Sequence, residues 1–495
     1  MTKVLITSIP VQDITRPPGI LSILAGCCEL INAEYDVLDL NLHMYRTFDK
    51  DLVTKLINDF SVNKFRSPET ESHYDIICDY FINYIINNNP THLAISVFTY
   101  ISMLATEHLL RRIKDANISV TIILGGLGIS SIKENSTTPF GDYCLHNKLA
   151  DYCIYGEGEV AFVELLKGND SYPGINNHNE KQLLDLDILP MPAYHKINPA
   201  DYFYATAPEV LVTGSRGCVR DCSFCNVGHY WSKYVYKSGK RMAKEIFNIW
   251  KTTGVNKFDF SDSLINGSIK SFREFNKELI SYRNQFPDFN PLYKGQFICR
   301  PQGQLKEKDY QEMALAGAET IVVGIESFSP AVRKHMNKDF SNEDIDLHYE
   351  YCARYGIKNV LLLLTGYVTE TAEDHQFNLE YIKRYQLYAL SRIIYAINIE
   401  IDGLGIDEGT PLHGMIDELG IIFLPGTTPK KNWISLKNKT LTPHERLRRG
   451  LEICNLAHNL GYSILHFNQK IDYAEQEYNK LQSKTYSEVF SIEKI

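Results

Sequence analysis

Along the first 165 or so residues, short apolar runs alternate with segments whose apolar positions recur at helical spacing. Val4 to Ile9 reads as a strand, Pro17-Pro18-Gly19 interrupts the chain, and a helix is predicted from Ile20 to Ile31. Further strands are predicted at Tyr35 to Asp39, Leu93 to Val97, Val120 to Leu124 and Asp151 to Tyr155, with a helix over Met103 to Lys114. Strands alternating with helices give a parallel sheet, so this part reads as α/β, a doubly wound, Rossmann-like domain. Ligands in such sheets sit beyond the carboxyl ends of the strands. Two strands end there in glycine, at Gly125-Gly126 and at Gly156-Glu157-Gly158-Glu159, where backbone can approach a ligand or a helix closely.

The pattern then breaks. Gly168-Asn169-Asp170, Pro173-Gly174, Asn176-Asn177-His178-Asn179 and Pro190-Met191-Pro192 are dense in turn formers and predict a linker. Alternation resumes with strands at Val210 to Thr213, Phe258 to Ser261, Tyr293 to Ile298, Thr320 to Gly324, Asn359 to Leu364 and Ile393 to Ile401. Helices are predicted between them, at Lys240 to Thr252, Ile269 to Arg283 and Lys308 to Gly317. Six strand-helix units suit a partial (β/α)6, TIM-like barrel better than a second flat sheet. Beyond about residue 420 the chain reads as helical, and Thr442-Pro443-His444-Glu445 as a capping box opening a helix to about Asn459. The expected organisation is a domain at 1–165, a linker at 166–205, the barrel at 206–420 and a helical C-terminal region at 421–495.

Composition narrows the function classes. The 495 residues are 44% hydrophobic and 22% charged, which suits folded domains and excludes a disordered or fibrous chain. Lys and Arg number 51 against 60 Asp and Glu, a net charge of −9, the wrong sign for a general phosphate-binding surface. Arg446-Leu447-Arg448-Arg449 is the one dense basic run after residue 420, so nucleic acid is not expected as a partner. No apolar run approaches the roughly 18 residues that span a bilayer, and Val4 to Ile9 followed by Pro10 is too short for a secretory signal. A cytoplasmic protein without membrane contact is therefore expected. The 11 cysteines are odd in number and include the adjacent Cys27 and Cys28, which reads as thiols or metal ligands, not a disulfide framework.

Three of those cysteines fall within eight residues, in Gly214-Ser215-Arg216-Gly217-Cys218-Val219-Arg220-Asp221-Cys222-Ser223-Phe224-Cys225. A short loop of closely spaced thiolates can wrap one metal centre without long-loop closure entropy. Three thiolates on a 4Fe-4S cluster leave one iron open, and an open position can bind and polarise a ligand. The Cys-x3-Cys-x-aromatic-Cys spacing resembles the signature of the radical S-adenosylmethionine (SAM) superfamily, with Phe224 at the aromatic position. The competing reading is a zinc site with His229 as fourth ligand.

Further segments resemble the same superfamily in order. Phe258 to Ser263 lies where the superfamily binds the SAM amine, and Gly324-Ile325-Glu326-Ser327, with Arg333 and Lys338 after it, resembles the segment near the SAM ribose and carboxylate. Gly366 to Thr371 resembles the Gly-x-x-x-Glu-Thr segment, and Gly409-Thr410-Pro411 the segment that closes the barrel. SAM carries an ammonium and a carboxylate, which call for an acid and a cation. Asp262 or Glu326 meets the first need and Arg300 or Arg333 the second, so the candidate SAM contacts are Phe224, Ser261, Asp262, Arg300, Glu326 and Arg333. The resemblance implies reductive SAM cleavage to a 5'-deoxyadenosyl radical, with an electron donor such as flavodoxin or ferredoxin and a small-molecule substrate.

The first domain resembles the cobalamin-binding domain that precedes this barrel in one subfamily, on Pro17 to Ile20, Ser96-Val97-Phe98-Thr99, Gly125-Gly126 and Asp151 to Glu159. No Asp-x-His-x-x-Gly occurs there, so that motif supplies no lower cobalt ligand. The candidate cobalamin contacts are Ser96, Thr99, Gly125, Gly126, Gly156 and Glu157; on the opposite reading the glycines serve only strand-helix packing. With cobalamin the resemblance implies a methyltransferase. Without it a radical SAM oxidoreductase or cyclase is implied, and a third reading is a non-catalytic iron-sulfur or zinc protein. No catalytic side chain stands out.

Overall fold

The computed structural model describes residues 2–61, 67–133, 136–203, 207–301, 303–424 and 429–482. Five strands form a parallel sheet in the order β2-β1-β3-β4-β5. They are β1 (Lys3–Ser8), β2 (Glu34–Asp39), β3 (His92–Ser96), β4 (Thr121–Gly125) and β5 (Tyr152–Ile154). Helix α1 (Gly19–Leu30) starts directly after the two prolines, and α2 (Leu40–Thr47) starts where the Asp39 side chain accepts from the Asn41 and Leu42 amides. Then come α3 (Lys50–Ser61) and α4 (Pro68–Asn88), the latter opened by Ser67 and a first-turn proline and ended by Asn89 at φ 45°. The sequence pattern did not mark these three helices. Helices α5 (Met103–Asp115), α6 (Phe140–His146) and α7 (Gly158–Leu166) complete the layer set. Leu5, Leu93, Ile95 and Leu124 meet Tyr74, Phe81 and Leu109 in one apolar core.

The segment expected as a linker is packed on this sheet. Ala193 N–H donates to the Ser22 carbonyl at 2.8 Å, Tyr155 N–H to the Gly174 carbonyl at 2.9 Å, and the Tyr202 hydroxyl to the buried Asp39 carboxylate at 2.7 Å. Its turn formers make short 3-10 turns at Leu186–Ile188, Tyr194–Lys196 and Pro199–Asp201, not a free tether.

A second sheet has six strands in the order β13-β12-β11-β10-β9-β6. In chain order, β6 (Glu209–Val212) leads to the short pair β7 (Ser215–Arg216) and β8 (Val235–Tyr236), which flank α8 (Val227–Tyr230). Then α9 (Gly239–Thr253), β9 (Lys257–Phe260), α10 (Ile269–Gln285), β10 (Leu292–Phe297) and α11 (Glu307–Ala316) alternate as expected. They are followed by β11 (Ala318–Glu326), α12 (Pro330–His335), α13 (Asn342–Tyr355), β12 (Lys358–Leu364), α14 (Ala372–Arg384), α15 (Gln386–Leu390) and β13 (Ile394–Glu400). Neighbours among β10 to β13 are parallel, with Val322 facing Val360 and Leu362 facing Asn398. Parallel pairing in chain order is what consecutive strand-helix crossovers produce.

The C-terminal region is less uniformly helical than its sequence suggests. After α16 (Ile416–Leu419), β14 (Ile421–Phe423) and β15 (Trp433–Ser435) pair antiparallel. Helix α17 (Pro443–Asn459) follows, then residues 463–465, then α18 (Phe467–Gln482). Ile397 N–H donates to the Ser463 carbonyl at 2.8 Å and Leu465 N–H to the Ile397 carbonyl at 2.9 Å, so this segment covers the open edge of β13. Thr442 caps α17 through the Glu445 amide at 3.2 Å, but the Glu445 carboxylate reaches Arg448 and Arg449, leaving half of the expected capping box.

By internal contacts the chain forms two compact units, Met1–Val212 with Lys244–Asp259, and Thr213–Ala243 with Phe260–Ile495. Among the described residues no helix is long and apolar enough to cross a membrane.

Candidate functional site: a three-cysteine loop

The cysteine loop is held at both ends. The Asp262 carboxylate accepts from Gly214 N–H at 2.8 Å and from the Ser215 hydroxyl at 2.5 Å, and β7 pairs with β8 where the loop returns. Its middle is fixed through Ser223, the residue between the second cysteine and the aromatic. Ser223 N–H donates to the Met336 carbonyl at 3.1 Å, and its carbonyl accepts from Leu412 N–H at 2.7 Å. Its hydroxyl meets the Tyr367 hydroxyl at 2.7 Å, and His335 Nδ1 lies 2.8 Å from that same oxygen. The loop is thereby gripped by α12, by the turn after β12 and by the turn after β13.

Burial separates the cysteines by kind. Cys218, Cys222 and Cys225 are partly exposed, whereas Cys27, Cys28, Cys78, Cys144, Cys153, Cys299, Cys352 and Cys454 are buried. A ligating thiolate must be reachable, and a buried thiol behaves as a small hydrophobe. Burial pushes the Cys222 thiol up to about 11, against the opposing field of Lys338. Loading a metal there displaces protons.

Among the described residues, one group of His, Cys, Asp or Glu donors is gathered closely enough to share a metal ion, Asp75, Cys78 and His108, far along the chain from this loop. Within it Asp75 is paired with His108 and Arg112, each at 2.8 Å. His229, the fourth ligand of the zinc reading, has its ring against Gly409.

The remaining candidates near the loop divide. Glu326 sits at φ 64°, where the register between β11 and β12 shifts. A bulge of that kind re-aims a side chain, and a strained non-glycine residue is kept where its neighbours demand it. Its carboxylate lies 3.2 Å from Lys338 Nζ, which also donates to the Gly324 carbonyl at 2.7 Å and stands 5.8 Å from the Phe224 ring. An acid and a cation thus stand together beside the cysteine loop, the pairing a zwitterionic amino acid end requires. Ser261 meets Thr213 at 2.7 Å where β9 ends. Asp262 is occupied in anchoring the loop, and burial raises its carboxyl to about 6. Arg333 is 1% exposed, with its guanidinium donating to the Ser327 carbonyl at 2.8 Å and to Asn342 while stacking over Phe340. It braces its own turn. Arg300 donates to the Asn266 carbonyl at 2.6 Å and to the Gly267 carbonyl. Lys338 stands in the sequence segment read near the SAM ribose and carboxylate but is given no contact of its own there, and Tyr367 reads only as a barrel residue that could face substrate or the core; nothing in the sequence marks His335.

In the first unit, Ser96, Thr99, Gly125 and Gly126 share the loops after β3 and β4, which interlock through Val97 N–H to the Gly125 carbonyl at 2.8 Å. Gly126 has φ 98°, and a β-carbon there would stand 2.5 Å from the Val97 carbonyl oxygen, so its identity is already required by packing. Beside it, Phe98, Tyr100 and Leu127 are 57%, 61% and 56% exposed, in the loops that follow β3 and β4 at the carboxyl end of this sheet. Gly156 and Glu157 are set apart, covered by Glu180 and by the Leu183 amide respectively.

Residues 212–382 match the family model of the Radical SAM superfamily, and the chain carries a radical SAM domain. That domain implies a 4Fe-4S cluster and SAM. Among curated proteins, the chain is similar to the anaerobic magnesium-protoporphyrin IX monomethyl ester cyclase of Synechocystis sp., 21% identical over 59% of this chain and 58% of that protein. It is also similar to the cytidylyl-2-hydroxyethylphosphonate methyltransferase of Streptomyces wedmorensis, 25% identical over 49% of this chain and 48% of the relative. The chain spans less than two thirds of the length of the curated relatives it matches. Among solved structures, the fold is similar to the radical SAM methyltransferase TsrM of Kitasatospora setae, a structure with cobalamin and a [4Fe-4S] cluster bound. The TM-score is 0.56 at 17% identity, covering 91% of this chain and 85% of that one. It is likewise similar to the cobalamin-dependent SAM radical enzyme OxsB, with TM-score 0.64 at 14% identity over 92% and 66% of the two chains.

Proposed function

We propose that this protein is a cobalamin-dependent radical SAM methyltransferase acting on a small molecule. The observation that carries the reading is the cysteine loop, in which three cysteines are reachable while the other eight are buried. When bound, the cluster supplies the electron that cleaves SAM to a 5'-deoxyadenosyl radical, and cobalamin supplies a methyl carrier. Cys218, Cys222 and Cys225 hold three irons. Glu326 receives the SAM ammonium and Lys338 its carboxylate, with Phe224 and Ser261 alongside. Phe98, Tyr100 and Leu127 offer the apolar edge against which a corrin rests. The electron comes from a flavodoxin- or ferredoxin-type donor.

The cyclase among the relatives keeps ring formation open as the reaction, and the second reading is a radical SAM oxidoreductase or cyclase that does not use cobalamin. One anaerobic experiment tests both. Protein reconstituted with iron, sulfide and hydroxocobalamin, then desalted, is expected to show an iron-sulfur absorption band that is lost in Cys222→Ala, and a retained corrin band. Iron-sulfur absorption without corrin moves the assignment to the second reading, and no iron-sulfur band removes both.

A further inference from the structure

Away from the cysteine loop, the packing of α4 against α5 brings one set of metal-binding donors together. Asp75 and Cys78 stand three residues apart on α4, so they share a face, and His108 meets them from α5. The ligand atoms of all three lie within 4.8 Å of one another. Cys78 is fully buried at the edge of the apolar core, and among the described residues its sulfur has no hydrogen-bond partner. An ion would reach it from the surface side, because the Asp75 and His108 side chains are 33% and 20% exposed.

The two outer donors are already aimed. His108 Nε2 lies 2.8 Å from Asp75 Oδ1, and the His108 and Tyr74 rings pack with centroids 5.8 Å apart, so the imidazole is oriented before any ion arrives. Arg112 reaches the same Oδ1 at 2.8 Å and also holds Asp79, which leaves the second Asp75 oxygen, Oδ2, without a partner among the described residues. The local charge leaves room for a cation as well. Two carboxylates, Asp75 and Asp79, face one guanidinium, an excess of one negative charge when His108 is neutral. A divalent ion that displaces the thiol proton brings that local charge to zero.

We propose that Asp75, Cys78 and His108 form a zinc site that ties α4 to α5 in the first compact unit, with water at the fourth position. A thiolate, an imidazole and a carboxylate together suit zinc, whereas magnesium and calcium take oxygen ligands. On binding, the Cys78 S–H bond breaks and an S–Zn bond forms, the proton leaves to solvent, and no electron moves. The site does not depend on the radical SAM reading.

The test titrates the full-length, cluster-loaded protein with zinc against a chromophoric chelator, and counts zinc and iron on the same desalted samples. One zinc per chain is expected in addition to the cluster iron. Its X-ray absorption edge is expected to show one sulfur at about 2.3 Å, with nitrogen and oxygen at about 2.0 to 2.2 Å. Cys78→Ala is expected to weaken zinc binding by more than the roughly tenfold to hundredfold that losing a group which only orients a ligand costs. Because Cys78 lies in the core, Asp75→Asn, a change of similar shape on a partly exposed side chain, is the second variant; it is expected to weaken zinc binding with helicity and iron content unchanged. Absence of stoichiometric zinc overturns the proposal, as does equal binding by wild type and both variants, or a zinc edge with no sulfur neighbour. Zinc that is lost in Cys222→Ala but kept in Cys78→Ala assigns the ion to the cysteine loop and overturns it as well.

Discussion

At the scale of single residues, what decides a role is where the charged end of a side chain is already engaged. Glu326 and Arg333 look equally suited to SAM in the sequence, seven positions apart after one strand. In the fold, Glu326 is turned by a bulge toward Lys338 and the cysteine loop, while Arg333 is consumed by Ser327 and Asn342. Glu326→Gln is therefore expected to weaken SAM binding about tenfold, the loss of one charge-assisted contact. Arg333→Lys is expected to lower stability while changing SAM affinity less than the Glu326 change does. Equilibrium dialysis of the reconstituted protein with labelled SAM checks both, and the reverse ranking would return the role to Arg333. The cysteine triplet was legible because spacing along a loop is itself the geometry. The pairing of Glu326 with Lys338 was not, because a bulge and a buried rotamer leave no trace in composition, and the same holds for the Ser223–Tyr367–His335 grip under the loop.

At the scale of elements, period and punctuation carried most of the strands. Parallel strands buried on both faces read as apolar runs, and every strand of the two parallel sheets was placed to within a residue or two. Helices α2 to α4 escaped because their apolar positions are interleaved with Asn, Asp and Tyr. The C-terminal strands escaped because three-residue strands have no period to detect. One tertiary pair shows what that region does. Glu370, in the Gly-x-x-x-Glu-Thr segment, is fully buried and lies 2.9 Å from Arg449 of α17, tying the turn after β12 to the C-terminal helix. Burial, opposed by Arg449, raises its carboxyl from 4.5 to about 7. A carboxyl with a raised folded pKa binds more protons folded than unfolded, so its contribution to stability falls as pH rises from about 4.5 to about 7 and levels off above. Urea unfolding at a series of pH values is expected to show this component in the wild type and to lose it in Glu370→Gln; an unchanged slope in the variant would place the titration elsewhere.

At the scale of the whole molecule, the two candidate sites lie on different compact units, the cysteine loop on one and the apolar edge of the first sheet on the other. Each is built from its own unit's residues, so each load is expected to be lost separately. Phe98 and Leu127 are more than half exposed, and placing Asp at either changes little in the core while putting a charge where an apolar ring must rest. Phe98→Asp and Leu127→Asp are therefore expected to reduce corrin retention about tenfold or more while iron content stays at the wild-type level. Cys222→Ala is expected to do the opposite, keeping corrin and losing the iron-sulfur band. Paired iron assays and corrin absorbance on the same desalted samples read both directions at once. If an aspartate on the first sheet removes iron as well, the loads are not independent; if it removes neither, the exposed aromatic edge serves some other partner and the cobalamin assignment loses its structural support.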